Sequence, residues 1–148
     1  MSLPTEFDFA TIEIGDGATP TEVFTVSCGK TDITVNTVAN STDRFVRDCA
    51  KPGEVPTRKT KVTGKQMDVT ATGLTDATAF GTEIDLVGTR ANIKVKFYTD
   101  DGTDAGDLIG TVACNMLIQA LNIGAPRDGD ASAELTLASH GMWTYTAA

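Results

Sequence analysis

The chain has 148 residues, a formal net charge of −8 and 22% charged residues, the proportions of one globular domain rather than a disordered or fibrous chain. Threonine is frequent, 24 of the 148 residues, and aromatic residues make up only 6%. No apolar run reaches the ~18 residues of a membrane helix, and no basic region precedes an apolar stretch at the N-terminus, so neither a membrane anchor nor a signal peptide is expected.

Threonine is β-branched and suits a pleated surface with one wet face, which points to an all-β fold. Ile12 and Ile14 alternate with Thr11 and Glu13, the period of a strand from Thr11 to Gly15. The cluster Asp16-Gly17-Ala18-Thr19-Pro20 turns the chain. Glu22 to Cys28 reads as a second strand, broken by Gly29-Lys30, and Thr31 to Val35 as a short third. Asn36 to Thr57 has little period and contains Asn40-Ser41, Pro52-Gly53 and Pro56; it reads as a long loop that orders on a partner.

Arg58 to Thr72 predicts a strand pair, or one long strand bent at Gly64, where glycine inside a strand marks a bulge. Thr75 or Asp76 can cap a helix near residues 76–87, with Phe80, Ile84 and Val87 on its apolar face and Gly88 as the stop. Ala91, Ile93, Val95 and Phe97 alternate with Asn92, Lys94, Lys96 and Tyr98, a strand with one buried face. Asp107 to Ile123 is apolar almost throughout and reads as a long strand covered on both faces. Ala131, Ala133, Leu135 and Leu137 alternate with Ser132, Glu134 and Thr136, and Met142 to Thr146 forms a last short strand.

Charge is unevenly spread. Residues 1–43 carry −6, residues 44–65 carry +5 and residues 66–148 carry −7. The basic block holds Arg44, Arg47, Lys51, Arg58, Lys59, Lys61 and Lys65. Three readings stay open on charge alone: a solvated segment, a nucleic-acid contact, and a basic element docking on the acidic surface of another copy. The second is poorly served, because Phe45 is the only aromatic side chain available to stack on bases. The third is a head-to-tail contact, which builds rings or filaments.

Groups for catalysis are sparse. His140 is the sole histidine, and its neighbour Ser139 would point to the opposite strand face, so a triad is not expected. The odd number of widely spaced cysteines, Cys28, Cys49 and Cys114, argues against a disulfide framework or zinc knuckle; all three read as small buried apolar residues. Asp100, Asp101, Asp104 and Asp107 lack the order of an EF-hand and read as a solvated hairpin turn, with cation binding as the lesser reading. The phosphate-binding and nucleophile-elbow glycine motifs do not occur.

The order of these elements resembles the major tail tube proteins of long-tailed bacteriophages. Lys65-Gln66-Met67-Asp68-Val69-Thr70-Ala71-Thr72-Gly73-Leu74 is similar to the family's strand entering the helix. Ala91-Asn92-Ile93-Lys94-Val95-Lys96-Phe97 with Gly110-Thr111-Val112-Ala113-Cys114-Asn115 resembles its hairpin after the helix. Pro126, Ala131-Ser132-Ala133-Glu134-Leu135-Thr136-Leu137 and Gly141-Met142-Trp143-Thr144-Tyr145 resemble its closing strand pair, so the likeness spans most of residues 9–147.

The resemblance implies a single domain over residues 1–148: a β-sandwich or half-barrel with one flanking helix, six copies of which join their sheets into a ring barrel. Rings would stack into a tube that lets DNA pass without specific binding, with no cofactor, metal or catalytic residue. The resemblance also implies an N-terminal arm over residues 1–8. It places an inter-ring loop at 36–57, with Arg44, Phe45, Arg47, Asp48, Lys51, Glu54, Arg58 and Lys59 as its contact residues. Further copies of the chain, a tape measure and a terminator would be the partners. The place would be a virion tail assembled in the host cytoplasm, away from any membrane. A lumen lined with acids would repel DNA, although Lys94 and Lys96 could also lie on an exposed face. The type VI secretion tube shares the fold, and an immunoglobulin-like module binding carbohydrate or protein is the alternative from outside this class.

Overall fold

The computed structural model describes residues 6–148, so residues 1–5 of the expected N-terminal arm lie outside the described residues. Period-two segments pair in one antiparallel sheet. The strands are β1 (Phe9–Gly15), β2 (Phe24–Val26), β3 (Lys30–Val46), β4 (Thr57–Leu74), β5 (Arg90–Thr99), β6 (Asp107–Gly124), β7 (Ser132–Ser139) and β8 (Thr144–Ala147). Their order is β2-β1-β5-β6-β7-β4-β3, with β8 added along β6. Among the described residues the single helix is α1, Ala77–Ile84, between β4 and β5. The fold is all-β with one helix, and the sheet curls into an open half-barrel in which β3 returns close to β1.

Strands β1 and β3 to β7 turn alternate apolar residues to one core. Ile12, Val69, Ala71, Ile93, Val95, Met116, Ile118, Leu135 and Leu137 are buried there. Ile33, Val35, Leu86 and Trp143 pack around them. Each fully buried aliphatic side chain contributes ~1.5–3 kcal/mol of transfer free energy. This core therefore holds the sheet in its curled form without a second sheet.

The expected loop over 36–57 is corrected. Residues 36–46 continue β3, residue 57 begins β4, and only 47–56 form the connection. The pairing runs unbroken in direction from Lys30↔Gly73 to Val46↔Thr57. Strand periodicity is readable when one face is buried. Here Val38, Phe45 and Val62 are all exposed, so the sequence shows no apolar alternation although the backbone is extended. The bend expected at Gly64 is present. Asn40 pairs with Gly64 and Ser41 with Val62, leaving Thr63 as the extra residue of a bulge.

Helix α1 is capped by Asp76, whose carboxylate accepts the Ala79 N–H at 2.7 Å. Gly88 follows with φ +88°, a conformation that suits glycine. The expected apolar face is corrected. Phe80 is half-buried, but Ile84 and Val87 are 47% and 39% exposed, and the buried position is Glu83. A carboxylate is tolerated there because Lys30 and Ser27 meet it, as described below.

Strand β6 also differs from expectation. Cys114, Met116 and Ile118 are buried on one face, whereas the opposite face is only half-covered. A register shift at Gln119 then exchanges the faces, so that Leu121 packs against the core. Cys114 is buried as expected, but Cys28 and Cys49 are exposed, because they lie at strand ends and loops rather than on the inner face. No helix among the described residues is long and apolar enough to cross a membrane.

Candidate assembly surface

β4 has two partners only near its end. Asp68–Leu74 pair with β7, whereas Thr57–Met67 pair with β3 alone. Beyond Met67 the β3–β4 hairpin is therefore a two-stranded arm, about 30 Å long at ~3.3 Å per residue. Its residues are exposed almost throughout. An isolated two-stranded hairpin is marginal in water, so such an arm gains its stability from whatever it packs on.

The cross-strand register sorts the side chains onto two faces. On one face Arg44 stands opposite Lys59 and Thr42 opposite Lys61. On the other Phe45 stands opposite Arg58, Asp43 opposite Thr60, and Ser41 opposite Val62. Phe45 and Val62 are 73% and 58% exposed. The second face carries the arm's ion pair, Arg58 Nη1 to Asp43 Oδ2 at 4.0 Å; both are well solvated and the pair adds little stability. The first face has no counter-charge among the described residues.

The connection 47–56 is internally hydrogen-bonded. Asp48 Oδ1 accepts from Ala50 N at 2.9 Å, and Arg47 Nη1 donates to the Pro52 carbonyl at 2.7 Å. The Lys51 N–H donates to Asp48 O at 3.1 Å, and the Glu54 N–H to Lys51 O at 3.0 Å. Val55 is 81% exposed beside them. The tip thus presents Phe45 and Val55 amid cations, a mixed apolar and basic surface. The structure brings all eight expected contact residues, Arg44, Phe45, Arg47, Asp48, Lys51, Glu54, Arg58 and Lys59, into this one arm.

Sequence reasoning missed a polar cluster at the other end of the hairpin. Lys30 Nζ lies 3.5 Å from Glu83 Oε2, with side chains 0% and 5% exposed. Ser27 Oγ donates to the other carboxylate oxygen of Glu83. One signal was available: Lys30 is the only basic residue in the first 43. Beside the cluster, β1, β2 and α1 enclose an open groove of about 470 Å³.

The outer face of β1 and β5 is also polar. Lys96 Nζ meets Glu13 Oε1 at 3.2 Å, and Lys94 lies 4.0 Å over the Phe24 ring. Asn92 donates to Glu22 and accepts from Asn115, continuing this network across β6. Lys94 and Lys96 are therefore engaged with an acid and an aromatic ring rather than standing alone.

His140 lies at the end of β7, where its N–H donates to Asn115 O at 2.8 Å. In the turn after β5, Asp100 accepts from Gly102 N and Asp101 from Thr103 N, each at 2.9 Å. The two Thr103 hydrogen bonds hold the Asp101 carboxyl below the usual carboxylate range. Among the described residues no three metal-ligating side chains converge.

No family model matches the chain, and no curated protein matches it. Solved structures do. A chain in the virion of a native gene transfer agent particle aligns at TM-score 0.65 and 16% identity, covering 97% of this chain and 100% of that one. The SPP1 tail tube aligns at TM-score 0.57 and 12% identity, over 98% of this chain and 80% of the other.

The chain has the tail tube fold.

A chain of the sheath–tube complex of an extracellular contractile injection system aligns at TM-score 0.63 and 14% identity, over 98% and 93%. The tail tube fold thus extends over the whole described sheet, arm included, rather than over a shared fragment. These similar chains belong to multi-subunit tail and injection assemblies.

Proposed function

We propose that the protein is the structural subunit of a tail tube. Copies form hexameric rings by joining sheet edges, and rings stack into a channel through which DNA passes without specific binding. The observation that carries this reading is the β3–β4 arm. It exposes Phe45, Val55 and an uncompensated Arg44–Lys59 pair, surface that gains stability only against a partner. The open edges of β2 and β3 are the second support, since unpaired edges in a monomer invite association, whereas in a ring each is covered by the next subunit.

In this reading the arm is the contact between rings, carried by Arg44, Phe45, Arg47, Asp48, Lys51, Glu54, Arg58 and Lys59. The protein catalyses nothing. Its other partners are the tape measure and terminator of the same tail, and it assembles in the host cytoplasm before becoming part of the virion. The net charge of −8 suits a channel that releases DNA rather than holding it. An immunoglobulin-like module packs two sheets face to face, whereas these strands follow one continuous sheet.

Negative-stain microscopy of the purified protein is the test. Six-fold rings or tubes are the expected result. A strict monomer at every concentration and ionic strength overturns the proposal.

A further inference from the structure

The two ends of the β3–β4 hairpin are chemically opposite. At the tip, the Arg44–Lys59 face is basic and Phe45 and Val55 are exposed. At the other end, where Lys30 pairs with Gly73, lies the groove between β2 and α1. The paired strands between them span about 50 Å at ~3.3 Å per residue. The groove walls are Ile14, Val26, Ala79 and Leu86, and Asp16 and Asp76 stand at its lip. No lysine or arginine lines it among the described residues.

Both lip carboxylates are fixed in place by backbone hydrogen bonds. Asp16 Oδ1 accepts from Ala18 N at 2.9 Å and Val23 N at 3.1 Å, and these bonds lower its pKa. Asp76 Oδ1 accepts from Ala79 N. Each carboxylate keeps a second oxygen for an incoming cation. The one acid in the floor, Glu83, is satisfied by Lys30 and Ser27.

We infer that this groove receives the arm tip of a second copy of the chain, Val55 entering between the apolar walls and Arg44 and Lys59 meeting Asp16 and Asp76. This rests on the tube reading above and names the receiving surface. The occupant is a second copy because the tip supplies both elements that the groove lacks, an apolar plug and unpaired cations. Because tip and groove are different surfaces at opposite ends of one hairpin, the contact can repeat head-to-tail from copy to copy, and covalent oligomers beyond the dimer mark that repeat.

The native cysteines test it. Cys49 lies in the tip and Cys28 lines the groove, both exposed, while Cys114 is buried. In assembled wild-type protein, a short bismaleimide should join Cys49 to Cys28, giving a ladder of covalent oligomers on a denaturing gel. Cys28→Ser or Cys49→Ser alone should abolish the ladder. Cys28 should also react at least tenfold more slowly with iodoacetamide in the assembly than in the monomer.

A second variant spares the caps. Asp16→Asn with Asp76→Asn keeps the hydrogen-bond acceptors and removes the charges, so a folded monomer should need roughly tenfold more protein to assemble. Tubes in which Cys28 stays as reactive as in the monomer, or links only to another Cys28, overturn the groove assignment and leave the tube reading standing. Absence of any ring or tube overturns both.

Discussion

Arg44 and Lys59 stand directly opposite each other on one exposed face of the β3–β4 arm, two cations with no counter-charge beside them among the described residues. Like charges in this position destabilise a strand pair, and exchanging one for its opposite is worth ~0.2–1 kcal/mol. Lys59→Glu should therefore raise the thermal midpoint of the isolated subunit slightly while weakening assembly. Calorimetry and sedimentation of the same sample separate the two effects. A variant that loses both stability and assembly contradicts the view that this pair is kept for a partner.

Salt distinguishes charge from packing in the arm. Reversal of Arg44, Arg47 and Lys51 to glutamate should suppress tube formation strongly at low ionic strength. The deficit should narrow as the Debye length falls below ~8 Å. Phe45→Ala should instead reduce assembly at all salt concentrations, because it removes a 73% exposed apolar side chain rather than a charge. Light scattering at two ionic strengths reads both.

The arm should be separable from the body. Joining Ala39 to Lys65 through an Asn-Gly turn removes the exposed hairpin at a register position where the two residues already face each other. The shortened chain should retain its core and its cooperative unfolding but not stack into tubes. Circular dichroism and electron microscopy check the two halves of this statement. A deletion of residues 40–54 alone is a poorer test, because it removes most of one strand of the arm and leaves Thr57–Gly64 without a partner.

Lys30 and Glu83 form a pair buried almost completely, with side chains 0% and 5% exposed. Removing one partner strands the other charge, at a cost of ~3–5 kcal/mol. Glu83→Leu alone should lower the urea midpoint sharply, and Lys30→Met with Glu83→Leu should recover most of the loss. A double variant no better than the single one contradicts the pairing.

Burial pushes the Cys114 thiol up from its ordinary pKa and shields it from reagents that reach the exposed Cys28 and Cys49. The unassembled protein should take up two equivalents of iodoacetamide at mildly alkaline pH and a third only on unfolding. Mass spectrometry counts them.

The sequence alone determined the strands whose inner face is dry. Ile93 and Val95, or Leu135 and Leu137, alternate with polar neighbours because a buried face imposes period two on the side chains. It also narrowed the helix cap to Thr75 or Asp76, offered a bend at Gly64 as one of two readings, and showed the basic block. Only the tertiary structure decided that residues 36–46 are strand, since an arm wet on both faces leaves no periodicity to read. Only folding could show that Glu83 faces inward while Ile84 and Val87 face out, because its partner Lys30 lies 53 residues away in sequence. The groove has the same origin. Its walls come from β1, β2 and α1, segments that become neighbours only when the sheet curls.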